Sequence, residues 1–289
     1  MKEDIIIIGS SGFIGHHLTK TFQPQLHTNH RNSPYLLDLN KPKLNTLPIK
    51  RQTHVIITAG CTNINDCTNR PRETYTTNVK GTLDLVRQCK ELGLFPILFS
   101  SDYVFDGKSG NYTEESPTHP INEYGRQKEM LEQRIQEIAG DNYLMLRLSK
   151  IYSTSVGDLS LLDEMIEALR SGKIVRAATD QVFCPLHIKD LKAIIQQLIE
   201  KRITGLVNVA GKEKISRYEI AIMVCQALGA SPKLIQPISL DELGAPRPKN
   251  TSLCCERLYQ TVSIQPQTLK TSIEELSLQS QSLKEHIKK

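Results

Sequence analysis

Three side chains in this sequence are spaced to protonate a carbonyl oxygen. Glu123-Tyr124-Gly125-Arg126-Gln127-Lys128 opens a stretch with helical spacing that runs to about Ala139. Tyr124 and Lys128 are four residues apart, so a helix sets them on one face. A lysine ammonium one turn from a phenol favours phenolate. Tyrosine starts at a pKa of about 10 and needs that help to exchange protons at neutral pH. Upstream, Leu94-Phe95-Pro96-Ile97-Leu98-Phe99 reads as a buried strand that delivers Ser100-Ser101-Asp102-Tyr103. Ligands collect at the carboxyl ends of such strands. Ser101, Tyr124 and Lys128 then form a proton-donating site, with the serine hydroxyl holding the substrate oxygen.

The elements that must position this set begin at residue 4. Asp4-Ile5-Ile6-Ile7-Ile8 is a β-branched run that reads as a buried parallel strand. Gly9-Ser10-Ser11-Gly12-Phe13-Ile14-Gly15 follows and leads into a helix. Gly9 permits the turn, Gly12 lets a pyrophosphate approach the backbone, and Gly15 lets helix and strand pack closely. The helix start offers free N–H groups and partial positive charge to phosphates. The cofactor wall is therefore expected from Gly9, Ser11, Gly12, Phe13 and Ile14.

The second strand, Gln25 to Arg31, closes on Asn29, His30 and Arg31 instead of an acidic residue. A carboxylate there would repel a 2′-phosphate and Arg31 would attract one, so NADP(H) is favoured over NAD(H). The acidic turn at Asp38-Leu39 either bonds the adenine or merely starts a turn. His54 to Gly60 reads as a third core strand, whose small end residues Ala59 and Gly60 let the chain pass a flat ring. Thr62, Asn78 and Ser100 complete the expected cofactor wall. Thr74 to Leu92 has helical spacing, ended by Gly93. This β-α alternation predicts an α/β fold, a Rossmann doubly wound parallel sheet with a smaller C-terminal α/β substrate lobe. The boundaries expected are 1–150 for the dinucleotide domain, with return segments near 178–210, and 151–289 for the substrate lobe. There, Ser160 to Ser171, Lys189 to Ile203 and Lys214 to Leu228 read as helices, and Asp180 to Pro185 as a strand. The tail from Gln265 has a weak helical pattern and is expected to cap the small lobe.

Composition narrows the partners. The chain of 289 residues carries a formal charge of +5, with no dense Lys/Arg tract to suggest a nucleic-acid surface. No apolar run is long enough for a membrane span, and no secretory pattern opens the chain. The seven cysteines show no paired CxxC spacing and read as reduced thiols of a cytoplasmic protein. No ligand set for a metal is identified.

In this order, the motifs resemble the extended short-chain dehydrogenase/reductase superfamily and, more closely, the dTDP-4-dehydrorhamnose reductase family. The carriers are the glycine turn, Thr76-Thr77-Asn78-Val79-Lys80-Gly81-Thr82, Ser100 to Gly107, Pro120 to Lys128 and Arg147-Leu148-Ser149-Lys150-Ile151-Tyr152. Asp180-Gln181 through Pro185, Gly205 to Gly211 and Arg247-Pro248-Lys249-Asn250-Thr251-Ser252-Leu253 continue the series. The resemblance implies reduction of a 4-keto group on a nucleotide-linked deoxysugar, in surface polysaccharide (lipopolysaccharide, dTDP-rhamnose) biosynthesis. It implies Tyr124 as general acid and Lys128 as the residue that lowers its pKa and holds the nicotinamide ribose. Ser101, Asp102, Tyr103, Lys150, Gln181 and Arg247 are the implied substrate contacts, and a homodimer is possible. Lys150 stands where the family usually has a Trp that lines the sugar pocket. A lysine there could instead bind a carboxylate or phosphate. The alternatives are an epimerase or reductase on another sugar nucleotide, and a non-catalytic NADP-binding subunit like the regulatory subunit of methionine adenosyltransferase, which resembles the same family.

Overall fold

A computed structural model describes residues 5–24, 26–29, 33–50, 53–155, 157–158 and 160–276. Arg31, on which the NADP(H) expectation rests, lies outside them. The chain begins β1 (Ile5–Ile8), α1 (Phe13–Phe22), β2 (Leu26–Asn29), β3 (Tyr35–Leu36), β4 (His54–Ile57), α2 (Ile64–Asn69) and α3 (Pro71–Tyr75). It continues through α4 (Thr82–Glu91), β5 (Phe95–Ser101), α5 (Glu123–Ala139), β6 (Leu144–Leu148), β7 (Ile151–Tyr152) and α6 (Leu161–Arg170). Then come β8 (Val175–Ala178), β9 (Val182–Phe183), β10 (Leu186–His187), α7 (Ile188–Glu200), β11 (Gly205–Val209), β12 (Ile215–Ser216), α8 (Arg217–Ala227), β13 (Ile235–Ile238) and α9 (Glu256–Thr261).

Seven strands form one parallel sheet in the order β3-β2-β1-β4-β5-β6-β11. This is a Rossmann-type α/β fold. The strand order reverses between β1 and β4, and a crevice opens at the carboxyl ends there. The isoleucines of β1 explain why a continuous apolar run was needed. Ile5 and Ile7 join Leu18 and Phe22 of α1 and Ile194 and Leu198 of α7 on one face. Ile6 and Ile8 join Leu83 and Val86 of α4 and Leu131 and Ile135 of α5 on the other. A strand covered on both faces has no side for polar residues.

A further apolar cluster gathers α6, β8, α8 and β13 with residues 269–276, which are helical. Leu269, Ile273 and Leu276 of that last helix are buried in it, so the tail does cap this cluster. Three predicted elements differ from what forms. The helix expected over 74–92 is interrupted by π-helical turns at Thr76–Gly81. The strand expected to Gly60 ends at Ile57, after which the chain leaves the sheet. The helix expected from Lys214 starts at Arg217, because Ile215–Ser216 pairs antiparallel with β9 and Ser216 closes a capping box with Glu219. Among the described residues, no helix is long and apolar enough to cross a membrane.

Candidate active site

The glycine turn connects β1 to α1 as its spacing predicts. Gly9 has φ +95°, a left-handed conformation that side chains avoid. A Cβ on Gly15 would lie 2.1 Å from the Gly9 carbonyl and 2.6 Å from Thr58 Oγ1, so only glycine lets α1 sit this close to β1 and β4. A Cβ on Gly12 would meet nothing nearer than the Gly9 carbonyl at 3.6 Å. The turn is therefore open where a ligand must approach. No side chain caps α1, which leaves its first-turn amides for an anion. These features fit a dinucleotide. Ser11 and Gly12 are exposed on the turn, and Phe13 and Ile14 enter the cleft beside it.

That cleft, of about 520 Å³, runs from the turn past the ends of β4, β5 and β6. Of the predicted residues it brings together Phe13, Ile14, Ala59, Gly60, Thr62, Ser100, Ser101, Tyr124 and Lys128. Asp102, Tyr103, Lys150, Gln181 and Arg247 line the same space. Gly9, Ser11 and Gly12 form the turn at its edge, and Asp38, Leu39 and Asn78 lie outside its lining. Asp38 is exposed and accepts from the Asn40 amide at 2.9 Å, so it starts a turn. Leu39 is buried in the core behind the sheet. Asn78 is buried as well. It accepts from Cys61 N at 2.7 Å and donates to Cys61 O at 2.9 Å, and so fastens the loop that carries Gly60 and Thr62.

The face of α5 does hold Tyr124 and Lys128, and Glu132 extends it by one more turn. Lys128 Nζ donates to the Phe99 carbonyl at 2.8 Å and lies 5.8 Å from the Tyr124 ring centre. Burial lowers its pKa to about 8, with Cys67 and Glu132 opposing the shift. The Tyr124 phenol moves the other way from the sequence expectation. Burial pushes it up, Asp102 adds to the rise, and the Ser101 hydroxyl only partly offsets it. The net direction is thus upward, where the spacing to Lys128 led to an expectation of a lowered pKa. Desolvation dominates, which favours the protonated phenol.

Asp102 is the residue whose surroundings the sequence did not reveal. It accepts from Ser101 Oγ at 3.1 Å, Ser149 Oγ at 3.2 Å and Thr251 Oγ1 at 2.7 Å. Burial raises its pKa to about 6 against those three donors and Lys150. Tyr103 is pushed up to about 12 by burial and by Asp102, and its hydroxyl accepts from Gln181 at 3.4 Å. Ser100, expected to face the cofactor, also donates to Glu132, which in turn grips Arg147 through two nitrogens at 3.1 and 2.8 Å. Arg176 and Arg217 enter the cleft without any motif to announce them.

The family model described as the RmlD substrate binding domain matches residues 1–282. The chain belongs to that family, the dTDP-4-dehydrorhamnose reductase family. Methionine adenosyltransferase 2 subunit beta of Mus musculus is 30% identical over 296 residues, covering 94% of this chain and 86% of its own length. A probable low-salt glycan biosynthesis reductase of Haloferax volcanii is 29% identical, covering 69% of this chain and 68% of its own. Among solved structures, a hypothetical dTDP-4-dehydrorhamnose reductase from Sulfolobus tokodaii has a TM-score of 0.81 at 28% identity, covering 93% of this chain and 98% of its own. The chain is thus a member of a nucleotide-sugar reductase family.

Proposed function

We propose that this protein uses NADP(H) to reduce the 4-keto group of a nucleotide-activated deoxysugar. The observation that carries the reading is one cleft shared by the open glycine turn, through Phe13 and Ile14, and by Ser101, Tyr124 and Lys128. Phe13, Ile14, Ala59, Gly60 and Lys128 would hold the dinucleotide, which when bound supplies the hydride. Ser101 Oγ orients the sugar carbonyl. Hydride arrival at the carbonyl carbon leaves negative charge on its oxygen, and Tyr124 delivers the phenolic proton there. A phenol kept protonated by burial suits reduction. Lys128 Nζ stays bonded to Phe99 and holds that end of α5 while the proton moves.

The test is NADPH oxidation with a panel of dTDP-, UDP-, GDP- and CDP-linked 4-keto sugars. Turnover of one sugar is expected, with Tyr124→Phe slowing it by about 10²–10⁴-fold. A second reading, a non-catalytic dinucleotide-binding subunit, draws on the similarity to the mouse methionine adenosyltransferase subunit. Dinucleotide binding with no turnover of any sugar, together with stable co-purification with a methionine adenosyltransferase catalytic chain, would replace the first reading with this one.

A further inference from the structure

The end of the cleft beyond Tyr124 is cationic. Lys150, Arg176, Arg217 and Arg247 all line it. They are not equally engaged. Arg176 pairs with Glu242 at 3.1 Å, and Arg247 donates to the carbonyls of Leu243 and Ala245. Arg217 has one carboxylate, Glu164, at 4.0 Å. Among the described residues, the Lys150 ammonium makes no hydrogen bond or ion pair. It lines the cleft and is exposed there. Burial and the nearby Arg217 lower its pKa, and the carboxylates of Glu164 and Asp102 offset part of that. A lysine that lines a cleft beside three arginines and makes no ion pair of its own suits an anionic ligand.

The place of Lys150 in the sheet says which anion. Register pairs Ser101 of β5 with Leu148 of β6. Ser149 then bonds Asp102, and Lys150 follows directly. Lys150 thus leaves the sheet beside the acid–base residues, where the reacting sugar must sit. Arg176 and Arg247 come from β8 and the 243–251 loop and suit the diphosphate of a nucleoside-diphosphate sugar. We propose that Lys150, with Arg217 lining the same cleft, binds a carboxylate on the sugar itself, so that the substrate class is an acidic nucleotide sugar. This inference rests on the nucleotide-sugar reading above and narrows its sugar to one that bears a carboxylate, for which the glucuronates below are binding probes.

The experiment is isothermal titration with matched pairs, UDP-glucuronate against UDP-glucose and dTDP-glucuronate against dTDP-glucose, in saturating NADP⁺. UDP and dTDP alone are the controls for the diphosphate. In at least one pair the acidic member is expected to bind about tenfold more tightly, as one charge-assisted contact provides. Lys150→Met removes that preference and Lys150→Arg keeps it. Equal binding of both members overturns the inference and leaves the nucleotide-sugar reading standing. So does a preference that survives Lys150→Met. A Lys150→Met variant that weakens UDP or dTDP alone as much as the acidic sugar also overturns it, because the lysine would then serve the diphosphate. Binding of NADP⁺ but of no nucleotide sugar defeats the nucleotide-sugar reading itself and this inference with it.

Discussion

The carboxyl of Asp102 sits among three hydroxyls and is 5% exposed. Those hydroxyls come from positions 101, 149 and 251, and folding brings them to one atom group. Folding raises its pKa from 3.8 to about 6, so the folded state holds this proton more tightly than the unfolded chain does. The ionised form is therefore penalised in the fold. The penalty is absent below about pH 4, grows as pH rises, and is complete above about pH 6. Relative to Asp102→Asn, which does not titrate, the native chain should lose about 3 kcal/mol of stability between those limits. Urea melts of both proteins at about pH 4 and pH 7 measure this. Parallel behaviour would mean that the hydroxyls offset the burial fully. Tyr124 belongs to the same physics. Its partner one turn away was legible from spacing. The direction of its shift was not, because desolvation depends on everything packed around the ring.

At the level of elements, α5 and β6 are joined by a buried ion pair. Arg147 is 1% exposed, stacks on Phe105 at 4.8 Å and donates to Asn208 at 3.2 Å besides holding Glu132. Glu132 lies one turn past Lys128 and also accepts from Ser100. The pair thus sets where the Tyr124–Lys128 face meets the end of β5. Arg147→Met would leave Glu132 buried without its partner and should cost about 3–5 kcal/mol. A double change, Glu132→Leu with Arg147→Met, should recover much of that loss. A denaturant series on the three variants checks both statements. The helix bearing Glu132 was readable from periodicity, as was the strand bearing Arg147. Their pairing joins residues 15 apart across two elements, and no local pattern encodes it.

Across the whole molecule, the chain passes repeatedly between the parallel sheet and the second apolar cluster, and the cleft draws its lining from both. Arg176 of β8 and Arg217 of α8 belong to elements of that cluster, whereas Ser101 and Lys150 follow strands of the sheet. The helix at 269–276 closes the cluster from near the carboxyl end. Leu269 is 1% exposed, and Ser272 shares a hydrogen bond with the Tyr152 hydroxyl at 2.9 Å. Leu269→Ala should therefore destabilise the protein by about 2–5 kcal/mol through the cavity it leaves. Because the glycine turn lies on the other side of the cleft, dinucleotide affinity well below the melting temperature should stay within about twofold of the native value. A thermal melt and a fluorescence titration on the same variant separate the two.

The sequence by itself determined what depends on neighbours along the chain. The isoleucine run, the glycine spacing and the four-residue step from Tyr124 to Lys128 each state a local geometry, and each formed. It determined too that Ser101 ends a buried strand, since a short apolar run closed by polar residues has few other solutions. Tertiary structure alone decided which of these groups share solvent and charge. It left Asp38, Leu39 and Asn78 outside the cleft lining, raised Tyr124 by burial, and brought Arg217 into the same cleft as Lys150. The physical reason is the same in each case: burial and Coulomb energies depend on distance in space, and the chain's order does not record that distance.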